Sequence, residues 1–394
     1  MVNKRAFEGL KVVDATHVLA GPYCGFLLAS MGAKTIKIEA PDMPDPVRGR
    51  GPVSELNDAG LGLNYLLQNS NKRALSLDLK KPDGLEVFKK LAKDADVVIE
   101  NFRSGAFEKL DLGYEAIKAI NPRVIYCSIT AFGGTGPMAT RNGYDPVLQG
   151  MSGIAHSTGA NAKGFPTKSA APMIDYGVGL AAAFAISSAL YQREKTGQGQ
   201  QIDCSMFELA LVMMGPAAVH AAYSGEKIQQ PPEAGTDIYR AKDTFLQLGA
   251  YNFRQNRRMW DELGNAEFAS YNSWPEIWDN ATRMRTELEK ILPTKTADEW
   301  EQIFSNIGVP AGRVRNLQES VNFEQVKARG FMHTLPEMVG IKNVRVPVAP
   351  FTMAHGGPQI TSAPPRHGEH SVEILRELGY STLDIDRMQK THVI

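Results

Sequence analysis

The sequence predicts an α/β protein built on a largely parallel sheet, with a smaller second domain. Three observations carry that expectation. Short β-branched runs alternate with segments of helical period between residues 10 and 130. Each ends in Gly-, Asn- or Pro-containing turns. The chain's 394 residues also exceed what one small core organises.

The elements follow in order. Leu10–Asp14 reads as a buried strand, Tyr23–Ser30 as a helix, and Lys34–Glu39 as the next strand, with Ile36 and Ile38 alternating. Gly84–Lys93 is helical, its Leu85, Val87, Phe88 and Leu91 forming an apolar face, and Asp96–Glu100 follows as a strand. A helix over Tyr114–Ile120 stops at Asn121-Pro122, because the residue before proline is pushed out of the helical region. Val124–Ile129 is a further strand, so at least four strands alternate with helices and pair in parallel. Residues 131–169, rich in Gly, Ser, Thr and Pro, suit exposed loops beside a site.

Following Val178 the chain is apolar nearly all round, then charged at Arg193–Lys195 before Gly197, which predicts a buried helix with a solvated C-terminal end. Its start places Asp175 within about one turn of a helix N-terminus, where the macrodipole favours negative charge by roughly 0.3–1 kcal/mol. A helical stretch at Ser205–Met214 leads into a loop at Gln229–Gly235. The second domain then shows a strand at Thr244–Leu248 and helices around Arg257–Leu263, Glu276–Ile291 and Ala297–Ile307. A tail with Pro347, Pro350, Pro358, Pro364 and Pro365 runs extended to a closing helix at Ser371–Leu378. The expected organisation is a large domain over 1–234, a small domain over 235–322, and a segment over 323–394 that returns to the large domain.

Composition removes several functions. Acidic and basic residues balance at 43 each, which leaves no footprint for nucleic acid or an anionic membrane and points to a small-molecule partner. Cys24, Cys127 and Cys204 are odd in number and without CxxC spacing, which argues against a disulfide framework or structural zinc and fits a reducing cytosol. Residues 3–9 carry no apolar signal run, and Val178–Leu190 is too short to span a bilayer, so a soluble cytoplasmic protein is expected. Glu39 sits where an acid would hold a nicotinamide cofactor's ribose, yet Ala15–Pro22 lacks the GxGxxG turn. Neither GxxxxGK[ST] nor HExxH occurs, and His367 and His370 on the Pro-rich tail read as a turn rather than a metal site.

A series of blocks carries a family resemblance. Phe7–Asp14, Ala20–Pro22, Met31–Glu39, Asn71–Arg73, Leu77–Asp78, Val98–Phe102, Asn121–Ile125, Gly143–Asp145, Asp175–Gly177, Lys195–Gln200, Gly308–Gly312 and Gly368–His370 resemble, in the same order, class III CoA-transferases of the formyl-CoA:oxalate (CaiB–BaiF) type. The likeness spans nearly the whole chain. It implies an open Rossmann-like large domain, an interlocked homodimer, no bound cofactor, and coenzyme A as substrate together with an acyl-CoA and a small carboxylic acid. Asp175 is implied as the nucleophile, attacking a thioester to form an aspartyl anhydride and then an aspartyl-CoA thioester. The competing reading of Asp175 is a helix N-cap. Gly177 and Gly179 would let a ligand approach backbone N–H groups. Asp145 either tunes Asp175 or closes a turn ahead of Pro146.

For coenzyme A, the resemblance implies Leu77 and Lys80 beside the adenine, Asn101 and Phe102 along the pantetheine and nucleotide, and Lys109 on a phosphate. Lys72, Arg73 and Arg103 complete the basic set. Two departures matter. Leu19 stands where the oxalate enzymes have Gln, and no glycine run occurs between Gly235 and Gly264, which argues against oxalate. Tyr144 precedes Asp145 where racemases of the superfamily have His, which disfavours two-base racemisation. Succinyl-CoA, then acetyl-CoA, are the expected donors. Arg48, Arg50 or Arg141 would pair with the second carboxylate of an acceptor such as mesaconate, itaconate or citramalate.

Overall fold

The computed structural model describes residues 4–224 and 232–394. The chain divides into two compact units, Met1–Val219 with Gly330–Ile394, and His220–Arg329. The first is built on six strands: β1 (Lys11–Ala15), β2 (Lys34–Glu39), β3 (Lys72–Ser76), β4 (Val97–Glu100), β5 (Ile125–Thr130) and β6 (Gln200–Ser205). They lie in the order β3-β2-β1-β4-β5-β6, every pair parallel. The order reverses between β1 and β4, so the loops leaving those two strands diverge and open a crevice at the sheet's C-terminal edge.

Period-2 alternation sends neighbouring residues to opposite faces. Val12, Val97, Ile99, Ile125 and Cys127 pack on one side with α1 (Ala20–Ser30) and with buried residues of a later, 24-residue helix. Val13, Val98, Val124 and Tyr126 pack on the other with α2 (Pro82–Lys93) and α3 (Tyr114–Ile120). β1, β2, β4 and β5, with α1, α2 and α3, fall within three residues of where the sequence places them, whereas the short helices Ser54–Asp58 and Leu63–Asn69 were not foreseen. β3 and β6 were not foreseen. β3 opens on Lys72, an unlikely strand residue until its fully buried partner Asp14 on β1 is seen. β6 is an edge strand in which only Ile202 and Cys204 pack against the core, between Gln200, Gln201, Asp203 and Ser205.

Residues 131–169, expected as loops, contain α4 (Asp145–Met151) and a single turn at Ile154–Ser157. The long helix α5 runs Met173–Thr196, starting before the expected Val178 and ending at Gly197 in the left-handed conformation (φ 73°). By length and composition it is apolar enough to cross a bilayer, contrary to the expectation from Val178–Leu190 alone. Here Ile174, Val178, Ala182, Ile186 and Ala189 give it a buried stripe against the sheet. A second stripe, Leu180, Phe184 and Tyr191, is 41%, 75% and 66% exposed. Ser205 caps α6 (Met206–Met213) by accepting the Glu208 N–H.

The C-terminal segment returns to the edge strand β3. Asn71 Oδ1 accepts the backbone N–H of Thr361 and Ser362 at 2.7 and 3.0 Å, and His370 both donates its N–H to Ala74 O and accepts the Ala74 N–H on Nδ1. Ser371 Oγ accepts the Ser76 N–H, and Val393 O accepts that of Asp78. These contacts cover the edge of β3 that would otherwise lie open to another strand. His370 is thus tied to the sheet. Helices α7 (Ser371–Glu377) and α8 (Thr382–Lys390) complete the layer on that face, the latter through a Ser381–Asp384 capping box that the sequence reading missed.

The second unit has three antiparallel strands, Ile238–Arg240, Phe245–Leu248 and Ala311–Arg313, in that order. Helices pack around Trp260, Met284, Leu288 and Phe304. The helix expected over Glu276–Ile291 is two, Trp274–Asp279 and Ala281–Ile291, broken at Asn280. Of the expected Gln229–Gly235 loop, residues 229–231 lie outside the described residues.

Candidate active site

The crevice is walled by the two loops that leave β1 and β4. Asn101 locks them together: its Oδ1 accepts the His17 N–H and its Nδ2 donates to His17 O, both at 2.8 Å. The His17 ring meets Phe102 edge-on with centroids 4.5 Å apart, and Phe102 leans on Phe107. Glu100, at the end of β4, accepts the Phe102 N–H on Oε2, and burial pushes its carboxyl up to about 7. Burial and the nearby Lys37 ammonium lower the His17 pKa, which favours the neutral imidazole. Between these loops lies a cleft of ≈ 560 Å³, whose lining includes His17, Leu19, Phe102, Arg141, Tyr144 and Asp175. That volume suits a small-molecule ligand.

Asp175 sits at the third position of α5 and is half-buried. It is not an N-cap. Pro172 occupies that place and no side chain caps the helix there. Instead Asp145, buried at the first position of α4, reaches across: its Oδ2 accepts the N–H groups of Ile174 and Asp175 at 2.7 and 3.2 Å. Its Oδ1 accepts from Gln149 Nε2 at 2.6 Å, and Gln149 Oε1 accepts the Ser169 N–H. One carboxylate therefore satisfies two orphan amides of the helix and fixes the strand of chain leading into it. Burial, and then the Asp145 charge, push the Asp175 carboxyl up from 3.8 to about 7. A carboxylate stripped of water in this way is the more reactive towards a carbonyl. The first-turn dipole favours its ionised form by roughly 0.3–1 kcal/mol.

The remaining expected residues divide. Leu19, Asn101, Phe102, Arg103 and Tyr144 line the cleft with Asp175. Tyr144 is 64% exposed. Leu77, Lys80 and Lys109 follow the C-terminal ends of β3 and β4, on the same edge of the sheet, but they are not part of that lining. Leu77 is buried in the core, while Lys80 and Lys109 are exposed. Arg73 pairs with Glu373 and Glu377 at 2.9 Å each, and Lys72 is buried against Asp14 at 2.7 Å. Both are committed to internal partners. So is Arg48, whose guanidinium makes a two-pronged pair with Glu39 at 2.8 and 2.6 Å and lies over the Tyr65 ring. Arg141, by contrast, faces the cleft.

Gly177 and Gly179 serve helix packing. A Cβ on Gly177 would stand 2.7 Å from Leu209 Cδ2, and one on Gly179 2.8 Å from Ala20 O and 3.0 Å from the Tyr23 ring. The second glycine lets α5 cross α1 beside the cleft. The residues that sequence reasoning passed over are His17, Val18 and Met206, which line the cleft too. The available signal was the His-Val-Leu run directly after a predicted strand, where the missing glycines drew attention instead.

The model of CoA-transferase family III matches residues 7–371. The chain is similar to the succinate–glutarate CoA-transferase of Agrobacterium fabrum, 33% identical over 95% of this chain and 96% of that one. It also resembles the acetyl-CoA:oxalate CoA-transferase of Acetobacter aceti, 35% identical over 84% and 86%. Among solved structures, a CAIB/BAIF family protein from Brucella suis superposes with a TM-score of 0.81 at 32% identity, covering 95% of this chain and all of that one.

Proposed function

The chain belongs to CoA-transferase family III, and on that premise we propose that it moves CoA from succinyl-CoA to a small dicarboxylic acid through a covalent intermediate on Asp175. The observation that carries the reading is a desolvated carboxylate, poised near neutrality, in a cleft at the sheet's switch point. An Asp175 oxygen attacks the succinyl thioester carbonyl, the C–S bond breaks, and CoA thiolate leaves an aspartyl-succinyl anhydride. The thiolate attacks the aspartyl carbonyl, releasing succinate and forming aspartyl-CoA. The acceptor carboxylate displaces the thiolate to give a second anhydride, and the thiolate then takes the acceptor acyl group and frees Asp175. No water enters and the thioester energy is conserved.

Arg141, exposed at the cleft wall, supports a dicarboxylic acceptor, because a guanidinium there matches a second carboxylate in a two-pronged pair. The similarity to a succinate–glutarate CoA-transferase supports glutarate and its branched or hydroxylated kin as the first acceptors to try. The apolar stripe Leu180, Phe184 and Tyr191 supports a homodimer in which a second copy covers that face. The test is intact mass measurement after incubation with succinyl-CoA and hydroxylamine. Hydroxylamine converts an activated Asp175 carboxyl to a hydroxamate, adding one NH to that peptide. A chain that gains nothing with any of several acyl-CoA donors defeats the mechanism.

A further inference from the structure

Val18 has φ +69°. A β-branched side chain adopts the left-handed region only where its surroundings hold it there, and this one lies in the wall of the catalytic cleft. What holds it is visible. Its N–H donates to both oxygens of Asp45, at 3.1 and 3.2 Å. The Asp45 side chain is fully buried, and Lys37, equally buried, binds its Oδ2 at 3.0 Å. The same ammonium donates to Thr16 O at 2.7 Å, so it ties the chain just before the turn to the carboxylate that fixes the turn itself. Asp45 in turn donates its N–H to Glu39 Oε1 at 2.9 Å. Glu39 is clamped by Arg48, and Arg48 is clamped by Tyr65 and by Pro365 O.

The charged links in this series are buried, and its end is one strained backbone amide in the wall of the cleft that Asp175 also lines. A purely structural ion pair has no need of a distorted residue, and a glycine would take up the same φ without strain. The chain keeps a valine and supplies an anchor. We propose that Asp45, held by Lys37, is a positioning residue for CoA transfer, keeping Val18 in its left-handed turn so that the His17–Ala20 wall presents the thioester to Asp175. This rests on the transfer reading above.

The test uses the full chain and follows single-turnover acylation by succinyl-CoA alongside thermal unfolding. Asp45→Glu keeps a charge against Lys37 but moves the carboxylate by one methylene. Acylation is expected to slow at least about tenfold with little change in unfolding temperature, since small misplacements at a reacting centre carry penalties of that size. Adding Val18→Gly should win back at least about threefold without raising the unfolding temperature, an effect no general stabilisation produces. Asp45→Glu within about twofold of the parent, or a double variant no faster than Asp45→Glu, overturns the proposal. If Asp45→Glu does not fold, Val18→Pro, which forbids positive φ, should slow acylation at least about tenfold relative to Val18→Gly, and equal rates overturn it. If the parent chain accepts no acyl group, the transfer reading has failed separately. The wall is then judged by CoA affinity in calorimetry, about tenfold weaker in Val18→Pro than in Val18→Gly, and equal affinities reject it.

Discussion

On the proposed mechanism Asp175 must be ionised to attack, and burial together with Asp145 raises its carboxyl to about 7. Acylation should therefore rise with pH through about 7 with the slope of one titrating group, read from single-turnover rates between pH 5.5 and 8.5. The stability consequence has a definite sign. The folded pKa lies above the ordinary 3.8, so between those values the folded chain holds a proton that the unfolded chain has released, and stability falls as pH rises through that window. Asp175→Asn should accordingly abolish acylation and, at pH 8, raise stability by on the order of 2 kcal/mol in denaturant titration. Asp145→Asn removes the neighbouring charge while keeping an acceptor for the Ile174 and Asp175 amides. Its rate–pH midpoint should move towards acid, and an unmoved midpoint would leave burial as the whole cause.

Helices and strands were legible in proportion to how far their own residues explain them. α2 carries a one-sided apolar stripe and appears where the period puts it, and α3 ends where Asn121-Pro122 stops it. The first turn of α5 could not be read that way, because the residues Asp175, Tyr176 and Gly177 break the apolar pattern and the amides there are satisfied by Asp145, thirty positions back in the chain. β3 was hidden for a similar reason: the partner of Lys72 is on another strand. Gly179 belongs to this scale, since its missing side chain sets the spacing of α5 against α1. Gly179→Ala should cost about 1–3 kcal/mol and slow acylation by shifting the first turn of α5. Thermal unfolding and single-turnover rates together check this, and unchanged values in both would mean that the helices separate freely.

For the molecule as a whole, the family likeness pointed to Asp175 as the proposed nucleophile, and the strand order accounts for the crevice it lines, which opens where the loops leaving β1 and β4 part. The placement of the basic residues was less legible. Lys72, Arg73 and Arg48 look alike in sequence to Arg103 and Arg141, and only burial and pairing separate the committed cations from those facing the cleft. The apolar stripe on α5 makes a prediction at this scale. The chain should sediment as a dimer at micromolar concentration, and Phe184→Asp should shift it to monomer; a parent chain that sediments as a monomer removes the dimer reading.

The return of the C-terminal segment has a consequence for how the protein is made. β3 leaves the ribosome early, but the residues that cover its edge, from Thr361 to Val393, are translated long after it. Pro365, the outermost clamp on Arg48, arrives with them. The nascent chain can thus assemble its strands well before it can seal them or brace the Val18 turn, so an unfinished polypeptide would display a bare, pairing-competent edge and an unset cleft.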